Sequence, residues 1–159
     1  MLYTKTKKFI ALLLVVILIL SGCSNKNQYT SVELSENILK LTTFSEMKPL
    51  SATSLSTYFV FGDGIVTRFN VNVSATGESA DTLACFEVNN DEQRSTAITG
   101  ISEYLTNLST SFKTTMEQEY KKVENRLLVE LDNIIILVIC NDTAPVWDYL
   151  SELGAKEVV

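Results

Sequence analysis

The N-terminal segment of the chain decides how much of it is available to fold into a domain. Lys5, Lys7 and Lys8 precede an unbroken apolar run of twelve residues, Phe9–Leu20. As a helix, this run would measure about 18 Å at about 1.5 Å per residue, which is short of the ~30 Å hydrocarbon core of a bilayer. A basic start followed by a short apolar run is typical of a cleaved secretion signal. We therefore expect the folded part to begin after it.

A cysteine stands at the end of this segment. Leu20, Ser21, Gly22 and Cys23 resemble the lipobox of bacterial lipoproteins, in which two small residues precede the cysteine that receives a diacylglycerol. The sequence thus predicts a signal peptide at residues 1–22 and a diacylglycerol anchor on Cys23 at the extracytoplasmic face of the cell membrane. Two acyl chains hold a protein stably, whereas a single chain holds it reversibly. The alternative is an ordinary secretory signal with a chance cysteine.

Removal of the signal changes both the length and the charge of the chain. Cleavage before Cys23 leaves 137 of the 159 residues. We expect a short tether at 23–29 and a single domain at 30–159, large enough to bury roughly two-thirds of its unfolded surface. Three lysines are lost with the signal, so ten Lys and Arg remain against 19 Asp and Glu, a net charge of −9. This balance argues against binding nucleic acid or anionic lipid headgroups directly.

The chain contains no histidine. Ser-His-Asp and Cys-His catalysis, histidine metal ligation and histidine pH switching are therefore excluded for this chain acting alone. Besides Cys23, the cysteines are Cys85 and Cys140, which form no CxxC pair, so we expect neither a metal site nor a cofactor. An extracytoplasmic location permits a disulfide between them, but free cysteine is also common in buried strands. The sequence leaves both possibilities open.

Hydrophobic periodicity predicts an α+β domain with elements in the order α-ββ-α-ββ-α. Apolar residues three and four apart predict three main helices. They lie near 30–44, 91–116 and 144–153.

Four segments have the sequence pattern of strands, and we expect them to form two hairpins. They lie at 65–74, 82–88, 127–131 and 134–140. The last is apolar at every position, so we expect it to be central and buried on both faces. In the first, apolar and polar residues alternate. We therefore expect a four-stranded antiparallel sheet with helices packed on one face and water on the other.

Four residues are candidates for a partner-binding surface. Trp147 and Tyr149 form an aromatic pair near the C-terminus, and these residue types are enriched at interface hot spots. Arg68 and Asn70 lie on the polar side of the first hairpin, where side chains capable of hydrogen bonding occupy a flat surface. The alternative interpretations are ordinary packing of a terminal helix and a solvated sheet face.

A cluster of acids in the charged segment after the long helix is the candidate for acid–base chemistry. Glu117, Glu119 and Glu124 alternate there with lysines such as Lys121 and Lys122. Opposite charges three and four residues apart are typical of an exposed helix face. We therefore interpret these acids as solvated and predict no catalytic residue in the chain.

Several local features together resemble one protein family. They are the lipobox Leu20–Cys23, the early helix, the 77–81 linker before a strand at Leu83–Val88, and the Asp132-Asn133 turn before Ile134–Cys140 and Asn141-Asp142. In this combination the chain is similar to small lipoproteins of Gram-positive anaerobes that carry an uncharacterised domain. Members often have a glycine in the second hairpin turn, where this chain has Asp132-Asn133. The resemblance implies fold and location, and it assigns no activity.

Location, charge and the missing catalytic residues lead to one functional expectation. We expect a membrane-anchored, extracytoplasmic binding or interaction module of the cell envelope, with an envelope protein as a possible partner. The alternative is a carboxylate-dependent enzyme, or an enzyme accessory, that acts on envelope polymers. Such an enzyme would need two buried acids that converge in a cleft. A third hypothesis is a structural protein that spaces the layers of the envelope, although the short tether limits the distance that it could span.

Overall fold

The structure is a computed structural model that describes residues 29–158. The predicted signal peptide 1–22, with Leu20, Ser21 and Gly22, and the predicted lipidation site Cys23 lie outside the described residues. The helices of the described part are α1 (Ser31–Ile38), α2 (Ala52–Tyr58), α3 (Asp91–Phe112), α4 (Glu117–Glu124) and α5 (Ala144–Glu152). The strands are β1 (Met47–Pro49), β2 (Arg68–Ser74), β3 (Thr82–Glu87), β4 (Leu127–Leu131), β5 (Ile134–Ile139) and β6 (Lys156–Glu157).

The strands form one antiparallel sheet in the order β1-β2-β3-β5-β4-β6. The mixed α and β composition and the two predicted hairpins are confirmed, and so is the central position of β5, all of whose residues are buried. The predicted order α-ββ-α-ββ-α and the predicted number of four strands are wrong in detail, because the structure adds the short strands β1 and β6 at the sheet edges and the short helices α2 and α4. Both edge strands have two or three residues, which is too short for hydrophobic alternation to mark them.

Helices cover both faces of the sheet, so the prediction that they pack on one face is wrong. On one face, α2, α3 and α4 bury a core around Phe59, Phe86 and Ile101. On the other face, α1 and α5 bury a second core around Leu34 and Leu150. Burial of each such side chain stabilises the fold by about 1.5–3 kcal/mol relative to exposure.

The polar side of β2 explains why the second face was predicted to be wet. Asn70 and Asn72 point to that face, but α1 lies over them instead of water. The Ser35 hydroxyl on α1 donates to Asn70 Oδ1 at 2.9 Å, and the Asn72 amide donates to the same oxygen at 2.9 Å. A helix with polar groups on its buried side can therefore satisfy a polar strand.

The turn between β4 and β5 requires one residue in the left-handed region. Asp132 has φ of 53° there, a conformation that Asp and Asn tolerate better than most residues. Asn133 ties this turn to the end of β3, because its side-chain amide donates to Val88 O at 3.0 Å and its carbonyl accepts from Val88 N at 2.9 Å. This turn belongs to the same end of the sheet as the start of α1.

Candidate functional site

A cleft of about 370 Å³ opens at the end of the sheet where β2 stops and β3 starts. It lies on the α2 and α3 side of the sheet, and the 75–81 connection forms one of its walls. Its lining combines aromatic rings with short polar side chains, among them Thr57, Tyr58, Ser79, Asp81, Tyr104, Asn107, Ser111 and Phe112. Cavities of this size and mixed lining are typical of sites for small molecules.

Tyr104 forms the inner wall of the cleft. It projects from α3 and is only 7% exposed. The Thr82 hydroxyl donates to Ala80 O at 3.0 Å, so Tyr104 donates its own proton to Thr82 Oγ1 at 2.8 Å. Burial raises the pKa of Tyr104 to about 12. The phenol is therefore neutral at physiological pH and serves to position the wall.

An ion cluster beside the cleft joins two carboxylates through one ammonium group. Lys122 Nζ lies 2.9 Å from Asp81 Oδ1 and 3.1 Å from Glu119 Oε2. All three side chains are largely buried, with exposed fractions of 11% for Lys122, 2% for Asp81 and 17% for Glu119. The prediction that Glu119 belongs to a solvated helix face is therefore wrong, whereas the neighbouring pair Glu117–Lys121 is exposed as predicted.

Hydrogen bonds from this cluster fix the wall of the cleft. Glu119 Oε2 accepts from the Ala80 amide at 2.8 Å and from the Ser79 hydroxyl at 3.1 Å. Asp81 Oδ2 accepts from the Ser45 amide at 2.6 Å. The 75–81 connection is thereby tied both to α4 and to the segment that follows α1. Because each of these contacts involves a largely buried carboxylate, they are stronger than hydrogen bonds between neutral groups, and they fix residues 79–81 of the wall.

Two cations and two carboxylates lie around the cleft. Burial lowers the pKa of Lys122, but its hydrogen bonds to Asp81 and Glu119 outweigh that effect and keep the pKa above its ordinary value. Lys48, on β1, stands at the rim and approaches Ala75 O at 3.4 Å. The two cations thus offset the two carboxylates, which leaves the site close to neutral.

The residues predicted as a partner surface lie elsewhere. Trp147 and Tyr149 are half-buried on α5, on the opposite face of the sheet, where they pack against the second core. The Tyr149 hydroxyl accepts from the Asn37 side-chain amide at 3.1 Å. Asn70 is covered by α1, while Arg68 is exposed at the far end of β2 from the cleft. The structure does not bring these four residues together into one surface.

Cys85 and Cys140 are free and buried. Cys85 pairs in register with Ile136, and Cys140 lies four residues further along that chain, about 13 Å away at the rise of a strand. A disulfide needs Cα atoms closer than about 7 Å, so the two cannot be joined in this fold. Burial, followed by the charge of Glu87, raises the pKa of Cys85 to about 12.

Residues 29–158 offer neither a metal site nor a membrane-spanning helix. Within this range no three His, Cys, Asp or Glu side chains come together in a way that could hold a metal ion. None of the helices in the same range has the length and apolar character needed to cross a membrane.

Comparison with known proteins identifies one family. Residues 40–140 match the family model described as a domain of unknown function, DUF4358. The match starts just after α1 and ends just after β5, and it includes the whole cleft and the ion cluster, but neither Trp147 nor Tyr149. No curated protein and no solved structure matches the chain. Because the matched region covers more than half of its residues, the chain belongs to the DUF4358 family.

Proposed function

We propose that this protein is a membrane-anchored, extracytoplasmic binding module of the cell envelope, and that the cleft beside Tyr104 is its ligand site. The observation that carries the proposal is the set of buried ion pairs and hydrogen bonds that fixes the wall of the cleft at residues 79–81. Buried ion pairs cost free energy because both charges lose their water. Here they hold the 75–81 connection between β2 and β3, although a short turn could join the two strands without them. Such pre-organisation lowers the entropy lost when a ligand binds.

The chemistry of the cleft favours a small, neutral ligand with several hydroxyl groups, such as a sugar unit. The rings of Tyr58 and Phe112 offer apolar surface, and the side chains of Asn107 and Thr57 offer groups that donate and accept hydrogen bonds. The nearby carboxylates are already paired with Lys122, so they have little capacity left for a cationic ligand. A ring with one apolar face and a hydroxylated edge fits both sides of this lining.

The ligand proposal is tested by a thermal-shift screen of the mature chain, residues 23–159. The panel comprises neutral saccharides and cell-wall fragments, with amino acids and divalent metals as the contrasting classes. A ligand at 100 times its Kd adds about 2.7 kcal/mol, which raises Tm by several degrees in a domain of this size. A dose-dependent rise confined to saccharides supports the proposal, and a rise confined to metals or amino acids contradicts the ligand class.

The anchor is a separate part of the proposal, and it rests on the sequence around Cys23. We expect the full chain, expressed in a bacterium, to fractionate with membranes and to carry a diacylglycerol on Cys23 by mass spectrometry. The variant Cys23→Ser should appear in the soluble extracytoplasmic fraction, because two acyl chains are needed for stable attachment. Identical fractionation of both chains would contradict a lipid anchor.

One observation favours the alternative of a carboxylate-dependent enzyme. Asp81 and Glu119 are two buried acids that converge beside the cleft, which is the arrangement such an enzyme needs. However, Lys122 lies between them, and backbone amides fill further acceptor positions on both. Acids held in this way stabilise a wall, and we therefore place binding ahead of catalysis. Release of reducing sugar from wall polymers by the wild type, but not by Asp81→Asn, would reverse that order.

A further inference from the structure

We infer that the anchored domain holds its cleft on the side that faces away from the bilayer, so that the cleft receives a water-borne or wall-bound ligand and not a lipid headgroup. This inference rests on the proposed anchor at Cys23 and concerns the same cleft. It follows from where the chain enters the domain, from the length of the sheet and from the length of the tether.

The point at which the chain enters the domain is fixed at one end of the sheet. The backbone amide and the hydroxyl of Ser31, the first residue of α1, both donate to Glu87 Oε1 at 2.9 Å. Glu87 is the last residue of β3 and is only 5% exposed. A capping box between Thr30 and Glu33 also fixes the backbone at the start of α1. The described chain therefore starts at what we call the anchor end of the sheet.

The cleft lies at the opposite end. Its wall is the 75–81 connection, which leaves β2 at Ser74 and enters β3 at Thr82. Thr82 and Glu87 are the two ends of the six-residue strand β3, which spans roughly 17–20 Å at the usual rise of a strand. The cleft and the anchor end are therefore separated by the full length of the sheet.

The tether is too short for the domain to turn over freely. Only five residues, Ser24–Gln28, separate Cys23 from the described chain, so the fully extended chain from Cys23 to Tyr29 spans at most about 22 Å, and an inverted domain would use nearly all of this length. The anchor end must therefore remain within that distance of the membrane surface. The net charge of −9 on the mature chain opposes contact of the body of the domain with anionic headgroups. Together these constraints favour an upright domain with its cleft outward.

Quenching by lipids tests the orientation in the full, lipidated chain. Asp63→Cys places a fluorophore at the anchor end, because Gly64 O in the same loop accepts from Gln93 near the start of α3. Thr76→Cys places it in the exposed part of the cleft wall. Each labelled protein, purified from membranes, is reconstituted into vesicles whose lipids carry a quencher on the headgroup. The wild-type protein, in which Cys85 and Cys140 are buried, is the control that measures background labelling.

The outcomes separate the orientation from the anchor. We expect quenching of the label at position 63 to be at least twofold stronger than at position 76. Equal quenching, or stronger quenching at position 76, would overturn the orientation while leaving the anchor in place. If neither label is quenched and the protein remains in the unbound fraction, the proposed anchor is wrong and the orientation falls with it.

Discussion

Lys122 neutralises two carboxylates that would otherwise be buried without a cation. We expect Lys122→Met to lower the free energy of unfolding by about 3–5 kcal/mol, since removal of one partner leaves an uncompensated buried charge. The matched control is Lys121→Met on the next residue, whose pair with Glu117 is exposed to solvent and therefore contributes little to stability. Urea denaturation of both variants measures the difference. Equal losses would show that the buried cluster does not stabilise the fold.

The same residues show where a local sequence pattern misleads. Glu119 and Lys122 have the three-residue spacing of an exposed helical pair, which is also the spacing of Lys121 and Glu124. Only the position of α4 against the 75–81 connection distinguishes them, and that position is set by contacts with Ser79 and Ala80 far away in the sequence. Charge patterning alone therefore could not identify the ion cluster.

At the scale of elements, the loop after α2 packs closely against α3 at Gly100. A Cβ on Gly100 would lie 2.8 Å from the Phe61 ring and 3.0 Å from Val60 O. The ring also stacks on Phe59, with centroids 5.6 Å apart, so it cannot move without disturbing the core. We therefore expect Gly100→Ala to destabilise the domain by about 1–3 kcal/mol.

This result would run against the intrinsic preference of a helix, in which Ala is favoured over Gly by about 1 kcal/mol. Gly62→Ala in the same loop is the control, because its Cβ would meet Ile65 at an ordinary 3.6 Å. Thermal unfolding of the two variants gives the comparison. A Gly100→Ala variant as stable as the wild type would mean that the loop does not pack on α3 as described.

Elements with a strong hydrophobic period were the predictable ones. The buried run at β5, the alternation in β2 and the apolar stripe of α3 each determine their own structure. The two edge strands have no such signal, because β1 ends in Pro49 and β6 has two residues. The position of α1 over Asn70 could not be predicted for another reason. The hydrogen-bonding groups of a polar strand face can bond to a helix as well as to water. The cleft lies between elements and has no local pattern of its own.

For the whole molecule, stability should fall at alkaline pH. The pKa values of Cys85 and Tyr104 are raised from 9.0 and 10.0 to about 12 because the folded protein buries both groups. A raised pKa in the folded state means that the stabilisation is complete below pH 9 and is lost as the pH rises towards 12. At about 1.4 kcal/mol per pKa unit, the two groups together contribute several kcal/mol.

Urea midpoints measured from pH 7 to pH 11 test this dependence. The urea midpoint of the wild type should remain constant to about pH 9 and then decline. The midpoint of Tyr104→Phe should decline less steeply above pH 10, whatever its value at pH 7. Parallel curves for the two proteins would contradict the burial of the phenol. The same buried phenol forms the inner wall of the cleft, so this measurement also reports on the integrity of the site.

The central claim is that the cleft binds a neutral, hydroxylated ligand, and one measurement tests it most directly. Thr57 is exposed and lines the cleft, whereas Ser56 is exposed on the same helix but does not. Thermal unfolding of the wild type, Thr57→Arg and Ser56→Arg is followed with increasing concentrations of saccharides and cell-wall fragments. We predict a dose-dependent rise in Tm for the wild type and Ser56→Arg, and none for Thr57→Arg, whose side chain fills the cleft. An equal rise in all three proteins, or none in the wild type, would contradict the claim.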